Sequence, residues 1–173
     1  MGIRTDRPTV PTVVDPHALM PRLTVSVIGS GEADPTRDAL AEHVGRLLGH
    51  AGATVVCGGL DGVMAAVCRG AREAGGHTVG ILPGASVDDA NRWVDLALPT
   101  GLGETRNVLV VRAGRAIIAI GGGFGTLSEI AFARKLGIPV IGLHTWRLPD
   151  DGVVHVDTAE GAVSHALSAA RGD

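Results

Sequence analysis

From position 23 onward, short apolar runs alternate with stretches in which apolar residues recur at helical spacing. Runs at 23–29, 54–57 and 77–82 read as strands, and the periodic stretches 34–50 and 62–74 between them read as helices. Strand–helix–strand alternation of this length implies a parallel sheet with right-handed crossovers. The pattern continues with a weaker strand at 93–98, a helix at 104–113, a strand at 116–120, a helix at 126–136 and a strand at 140–143. A strand at 153–156 and a helix starting at 157 close the chain. The expected fold is α/β, a single doubly wound parallel-sheet domain.

Local signals sharpen several of these elements. Leu40, Val44, Leu47 and Leu48 share one helical face, and Asp34 followed by Pro35 is a cap with proline at the first helical position. Val63, Ala66, Val67, Gly70, Ala71 and Ala74 form a stripe of small side chains that ends in Gly75 and Gly76, so this helix is expected to lie close on the sheet. Asp157 and Glu160 stand at capping-box spacing before the last helix. Pro8, Pro11, Pro16 and Pro21 oppose both helix and sheet pairing in residues 1–21, which read as an N-terminal arm; the domain occupies 22–173.

At 173 residues the chain matches one ordinary domain. A net charge of −3 removes any whole-chain electrostatic case for nucleic acid or an anionic membrane surface. The only aromatic residues are Phe124, Phe132, Trp93 and Trp146, too few and too scattered for a base-stacking platform. No apolar run approaches the roughly 20 residues of a membrane span, and no signal-peptide pattern opens the chain, so a cytoplasmic protein is expected. Cys57 and Cys68 lack metal-ligand spacing, and the seven histidines are isolated, so no metal site and no cofactor of its own are expected.

Glycine changes the picture. Its 26 residues are roughly twice the usual share, and they cluster after predicted strands: Gly29, Ser30 and Gly31 after the first, Gly58, Gly59 and Gly62 after the second, Gly121 to Thr126 after the fifth. Those positions lie at the carboxyl edge of a parallel sheet, where open α/β folds bind ligands. Missing Cβ atoms let backbone N–H groups and a helix start approach an anion, typically phosphate. The spacing is neither a dinucleotide fingerprint nor a P-loop, since Thr126 or Asp34 falls where the last glycine belongs and the only lysine is Lys135. Tight turns are the plainer use of any one cluster.

Arg106 falls at the same edge and could offer a forked cation to phosphate; its plainer role is a solvated arginine paired with a carboxylate. Glu129 follows Thr126 by three residues, so it is either half of a capping box or a carboxylate facing the sugar of a bound nucleotide.

The run Gly121-Gly122-Gly123-Phe124-Gly125-Thr126-Leu127-Ser128-Glu129, with Arg106-Asn107 upstream, resembles the PGGxGTxxE signature and Arg-Lys pair of the Lonely Guy (LOG) family. Gly58 to Met64 and Gly75 to Pro83 are similar to the same superfamily. The likeness covers roughly residues 23–143 and is greatest to the branch with a GGGxGTLSE loop, which includes molybdenum-cofactor carrier proteins. It implies a Rossmann-like fold and a homodimer or higher homo-oligomer. It also implies a small phosphorylated ligand, either a nucleoside monophosphate or a pterin-type cofactor. LOG proteins are phosphoribohydrolases that release the base from cytokinin nucleoside 5′-monophosphates. By that likeness Glu129 and Arg106 would be catalytic. Gly29, Ser30, Gly31, Gly58, Gly59, Arg106, Asn107, Gly122, Gly123, Gly125 and Thr126 would hold the ligand. Three departures bear on turnover: Gly121 replaces Pro, Asn107 replaces Lys, and Arg115 stands where Asp usually precedes the fifth strand. The cradle therefore carries over better than the hydrolytic site; the expected function is binding of a phosphorylated ligand with hydrolysis of the N-glycosidic bond of a nucleoside 5′-monophosphate, and the alternative is non-catalytic carriage of molybdenum cofactor or a nucleotide.

Overall fold

Runs that are apolar at consecutive positions are buried on both faces of a sheet, and here they build its centre. The computed structural model describes residues 23–147, 149 and 152–172. In chain order the elements are β1 (Thr24–Gly29), α1 (Pro35–His50), β2 (Thr54–Cys57), α2 (Val63–Glu73), β3 (His77–Leu82), β4 (Leu96–Pro99), α3 (Asn107–Ala113), β5 (Ala116–Ile120), α4 (Phe124–Leu136), β6 (Val140–Leu143), β7 (Val154–Val156) and α5 (Ala159–Arg171). All strand pairs are parallel, in the order β4-β3-β2-β1-β5-β6-β7. The strand order reverses between β1 and β5, so the loops leaving these two neighbours diverge to opposite faces and open a crevice at the carboxyl edge.

One face of the sheet is covered by α1, α2 and α5, through Val44, Leu48, Val67, Ala71, Val163 and Ala166 packed on Val25, Val27 and Val55. The other is covered by α3 and α4, through Val110, Val111, Ile130 and Ala133 packed on Ile28, Val56 and Ile117. The buried face of α1 runs through Ala41, Val44, Gly45, Leu48 and Gly49, while Leu40 and Leu47 flank it half-buried. Gly45 and Gly49 let α2 approach to backbone contact, and a Cβ on Gly49 would stand 2.7 Å from the Ala71 carbonyl oxygen.

Four expected boundaries shift, each for a local reason. The strand expected at 93–98 begins only at Leu96, because Thr78 ties the preceding segment with its side chain: its hydroxyl donates to the Trp93 carbonyl at 2.8 Å, and its amide donates to Asp95 at 3.0 Å. The helix expected at 104–113 is a 3₁₀ turn at Gly103–Arg106 followed by α3. The helix expected from 126 starts at Phe124 with Gly123 as N-cap. Its Glu129 therefore lies inside the helix, and the Thr126–Glu129 capping box does not form. The last helix is capped by Thr158, whose hydroxyl accepts from the Gly161 amide at 3.1 Å, so Asp157 and Glu160 form no box. Residues 1–21, read as an arm, lie outside the described residues.

Candidate functional site

Three helices start at the carboxyl edge beside the crevice, and the chain disposes of their N-terminal amides differently. In α1 the Asp34 carboxylate accepts from the amides of Thr36 at 3.1 Å and Arg37 at 2.9 Å. In α2 the Val63 amide donates to the Ser30 carbonyl at 3.1 Å, and a Cβ on Gly62 would stand 2.8 Å from the Gly31 carbonyl carbon. The first glycine loop thus covers the start of α2. Neither α2 nor α4 has a side-chain cap, and of the two only α4 has no loop carbonyl on its first amides among the described residues. Its first-turn amides keep their donors and the positive end of the helix for an anion.

The loop before α4 is held by its carbonyls. Trp146 Nε1 donates to the Gly123 carbonyl at 3.1 Å and Ser128 Oγ to the Gly125 carbonyl at 2.7 Å. The Thr145 hydroxyl donates to the Gly121 carbonyl at 2.5 Å. These bonds hold the carbonyls of Gly121, Gly123 and Gly125, the Gly121 amide is held in turn by the Leu143 carbonyl at 3.2 Å, and Gly122, Gly123, Gly125 and Thr126 line the cavity. Gly122 sits at φ +105 with its would-be Cβ against Thr126, so only glycine fits there.

Arg106 is 6% exposed. Its Nη1 donates to Asn107 Oδ1 at 2.7 Å and its Nη2 to the Gly58 carbonyl at 3.2 Å, while its buried Nε has no partner. Among the described residues no carboxylate pairs with it, so the solvated surface pair weighed from sequence is not its role. Gly58 exists as glycine because a Cβ there would meet Arg106 Nη2 at 2.6 Å and Met64 Sδ at 2.7 Å. Glu129 is also 6% exposed. Burial pushes its carboxyl up to about 7, the Arg106 charge pulling the other way and the Glu104 carboxylate adding to the rise. At neutral pH this group exists in both protonation states, the condition for proton transfer in either direction.

A cavity of about 450 Å³ joins these parts, within the size range of small-molecule sites. It is lined by Gly29, Ser30, Gly31, Gly58, Arg106, Asn107, Gly122, Gly123, Gly125, Thr126 and Glu129, which sequence reasoning had gathered from loops 100 residues apart. Gly59 faces elsewhere: its would-be Cβ lies against Leu82 at 2.6 Å, and its amide donates to Cys57 Sγ at 3.3 Å. Of the two carboxyl groups that the first and second glycine loops offer as a proton donor to a leaving base, Glu32 lines the cavity and Asp61 does not. Arg37, Met64 and Glu104 line it without having been singled out. Arg37 carried one usable signal, since a cation in the first turn of a helix opposes the macrodipole and asks for another reason to be there. Among the described residues no three His, Cys, Asp or Glu side chains converge as metal ligands, and no helix is long and apolar enough to cross a membrane.

A doubly wound parallel sheet with its crevice at the switch point between β1 and β5 defines a Rossmann-like α/β protein. Within that class, the chain belongs to the SLOG cluster4 family, whose model matches residues 22–171. The molybdenum cofactor binding protein from Rippkaea orientalis is similar at 35% identity and TM-score 0.81, the match covering 86% of this chain and 98% of that one. The Moco carrier protein from Chlamydomonas reinhardtii is similar at 29% identity and TM-score 0.81, covering 88% and 100%. A probable cytokinin riboside 5′-monophosphate phosphoribohydrolase of rice, LOGL9, is 30% identical over 130 residues, 74% of this chain and 55% of the rice protein. The likeness to the LOG superfamily and its carrier branch, drawn from the glycine loop, therefore stands.

Proposed function

We propose that the protein binds a phosphorylated small molecule of pterin or nucleotide type and holds it without turnover, as a carrier. The observation that carries this reading is the uncapped start of α4 opening into the same cavity as the buried, incompletely partnered Arg106. The phosphate sits on the amides of the α4 first turn, and Arg106 supplies the countercharge. Asn107 favours holding over chemistry. As the acceptor for Arg106 Nη1 it fixes the guanidinium while adding no charge of its own. The likeness to a molybdenum cofactor binding protein and a Moco carrier protein over nearly their whole lengths supports the same reading.

One observation favours a second reading, hydrolysis of a nucleoside 5′-monophosphate. Glu129, buried and titrating near neutrality, is suited to stabilise oxocarbenium character at the ribose anomeric carbon and to move the proton of an attacking water. Glu104 and Glu32 are the other carboxyl groups that line the cavity, and one of them in its protonated acid form would give the proton to the departing base.

Incubation with a panel of nucleoside monophosphates and a phosphorylated pterin, with free base and ribose 5-phosphate assayed beside equilibrium binding, separates the two. The carrier reading expects saturable binding and no base release. Release that Glu129→Gln reduces about 10²-fold, the scale of losing a positioned acid–base group, would replace it with the hydrolase.

A further inference from the structure

Opposite Arg106, the cavity has a second guanidinium. Arg37 rises from the first turn of α1 and lays its stem across Gly121: a Cβ on Gly121 would stand 2.7 Å from Arg37 Cδ, and this glycine sits at φ +54. Glycine is therefore required at 121 both for its backbone and for the space the Arg37 stem occupies. The stem is fixed over the glycine loop while the residue lines the cavity with Gly122, Gly123, Arg106 and Glu129.

Arg37 has no sufficient partner of its own. Among the described residues its one ion pair is Nη2 to the Asp34 carboxylate at 3.5 Å, with the two side chains 33% and 39% exposed, a pairing worth little. That carboxylate is already engaged with the amides of Thr36 and Arg37. Arg37 Nε is buried with no hydrogen-bond partner, the same state as Arg106 Nε. A desolvated guanidinium donor left open costs stability unless something else takes it.

The two arginines approach the crevice from different sides. Arg106 is anchored on Gly58, which follows β2, and Arg37 on Gly121, which follows β5, with β1 between those strands. The anchors are two interstrand spacings apart, about 10 Å. Arg37 meets the glycine loop at its Gly121 end, while Arg106 is joined to Asn107, whose Nδ2 stands 4.0 Å from a would-be Cβ on Gly125 at the other end, so the two guanidiniums flank the cradle as a ligand with an anionic group at each end of a sugar-sized spacer would require.

We infer that Arg37 is a specificity residue for a second anionic group, so that the site takes ligands carrying two separated oxyanions in preference to simple monophosphates. This rests on the phosphate-binding reading above. One anion lies on the α4 start beside Arg106, and the other is met by the forked donors of Arg37 over Gly121.

The test compares AMP with adenosine 3′,5′-bisphosphate, two probes that differ only in a second phosphate, by calorimetric titration at fixed ionic strength. The wild type is expected to bind the bisphosphate at least tenfold more tightly. Arg37→Met keeps an aliphatic stem over Gly121 and removes the charge. In that variant the ratio of the two affinities should collapse to within about twofold of one. Equal affinities in the wild type, or a preference that survives Arg37→Met, would overturn the inference. If AMP binds with a dependence on Arg106 while no bisphosphate preference exists, only the role of Arg37 falls. If neither probe binds, the phosphate-binding reading falls with it.

Discussion

Glu129 couples the site to stability. Its carboxyl titrates at about 7 in the folded protein against 4.5 as the ordinary value, the rise coming first from burial. A carboxyl raised in this way contributes stability that is fully present below pH 4.5 and is lost as pH climbs through 7, because ionising it places a charge in a desolvated cavity. The free protein should lose roughly 3 kcal/mol between pH 4.5 and pH 8 from this group, at 1.36 kcal/mol per pKa unit. Urea denaturation of wild type and Glu129→Gln at both pH values checks it, since the variant should lack that component. Arg106→Ala should weaken monophosphates by about 10²-fold while affecting the corresponding nucleosides far less, because a charge-assisted bond contributes about 1.5–3 kcal/mol and only phosphate makes it. Paired titrations of a nucleotide and its nucleoside read that difference directly. Arg106 and Glu129 were legible in the sequence because a glycine-rich loop with a Thr three residues before a Glu, 15 positions after an arginine, is a local pattern. Arg37 was not, because its meaning comes from contact with Gly121, 84 positions away.

Helices and strands were found nearly where their periodicity put them, and the misplacements fell at ends governed by single hydrogen bonds. Asp157 has the residue type of a cap, but the Thr158 hydroxyl takes the Gly161 amide, so Thr158→Ala should cost about 1 kcal/mol and Asp157→Ala much less. Thermal unfolding of the two variants decides which residue caps α5. The small-residue stripe of α2, expected to lie close on the sheet, makes its closest approach through Gly70 and Ala71 to α1 instead, because nothing in one helix names the helix it will cross. Gly70 meets the Glu42 backbone and Gly45 the Val67 carbonyl. Gly70→Ala should therefore destabilise by about 1–3 kcal/mol, as overpacking does, and chemical denaturation will show it.

Alternation of strands and helices dictated a parallel doubly wound sheet, but not the side of β1 on which β5 would pair. That choice sets the switch point, and the switch point sets the site. Loops after β1 and β5 diverge there, Arg106 reaches it from the turn before α3, and α4 presents its uncapped start to the opening. Three glycine clusters looked equivalent in the sequence, yet the structure uses them differently. One covers the start of α2, one makes room for Arg106, and one is the proposed phosphate cradle. Gly123 offers the cleanest test of that cradle, because its φ of −100 suits any residue and a Cβ there meets nothing within 4 Å. Gly123→Val should fold with a denaturation midpoint near that of the wild type while its side chain obstructs the α4 start. The decisive measurement is calorimetric titration of folded Gly123→Val and wild type with AMP: a loss of at least tenfold in affinity is expected, and undiminished binding by a natively stable variant would contradict the placement of the phosphate.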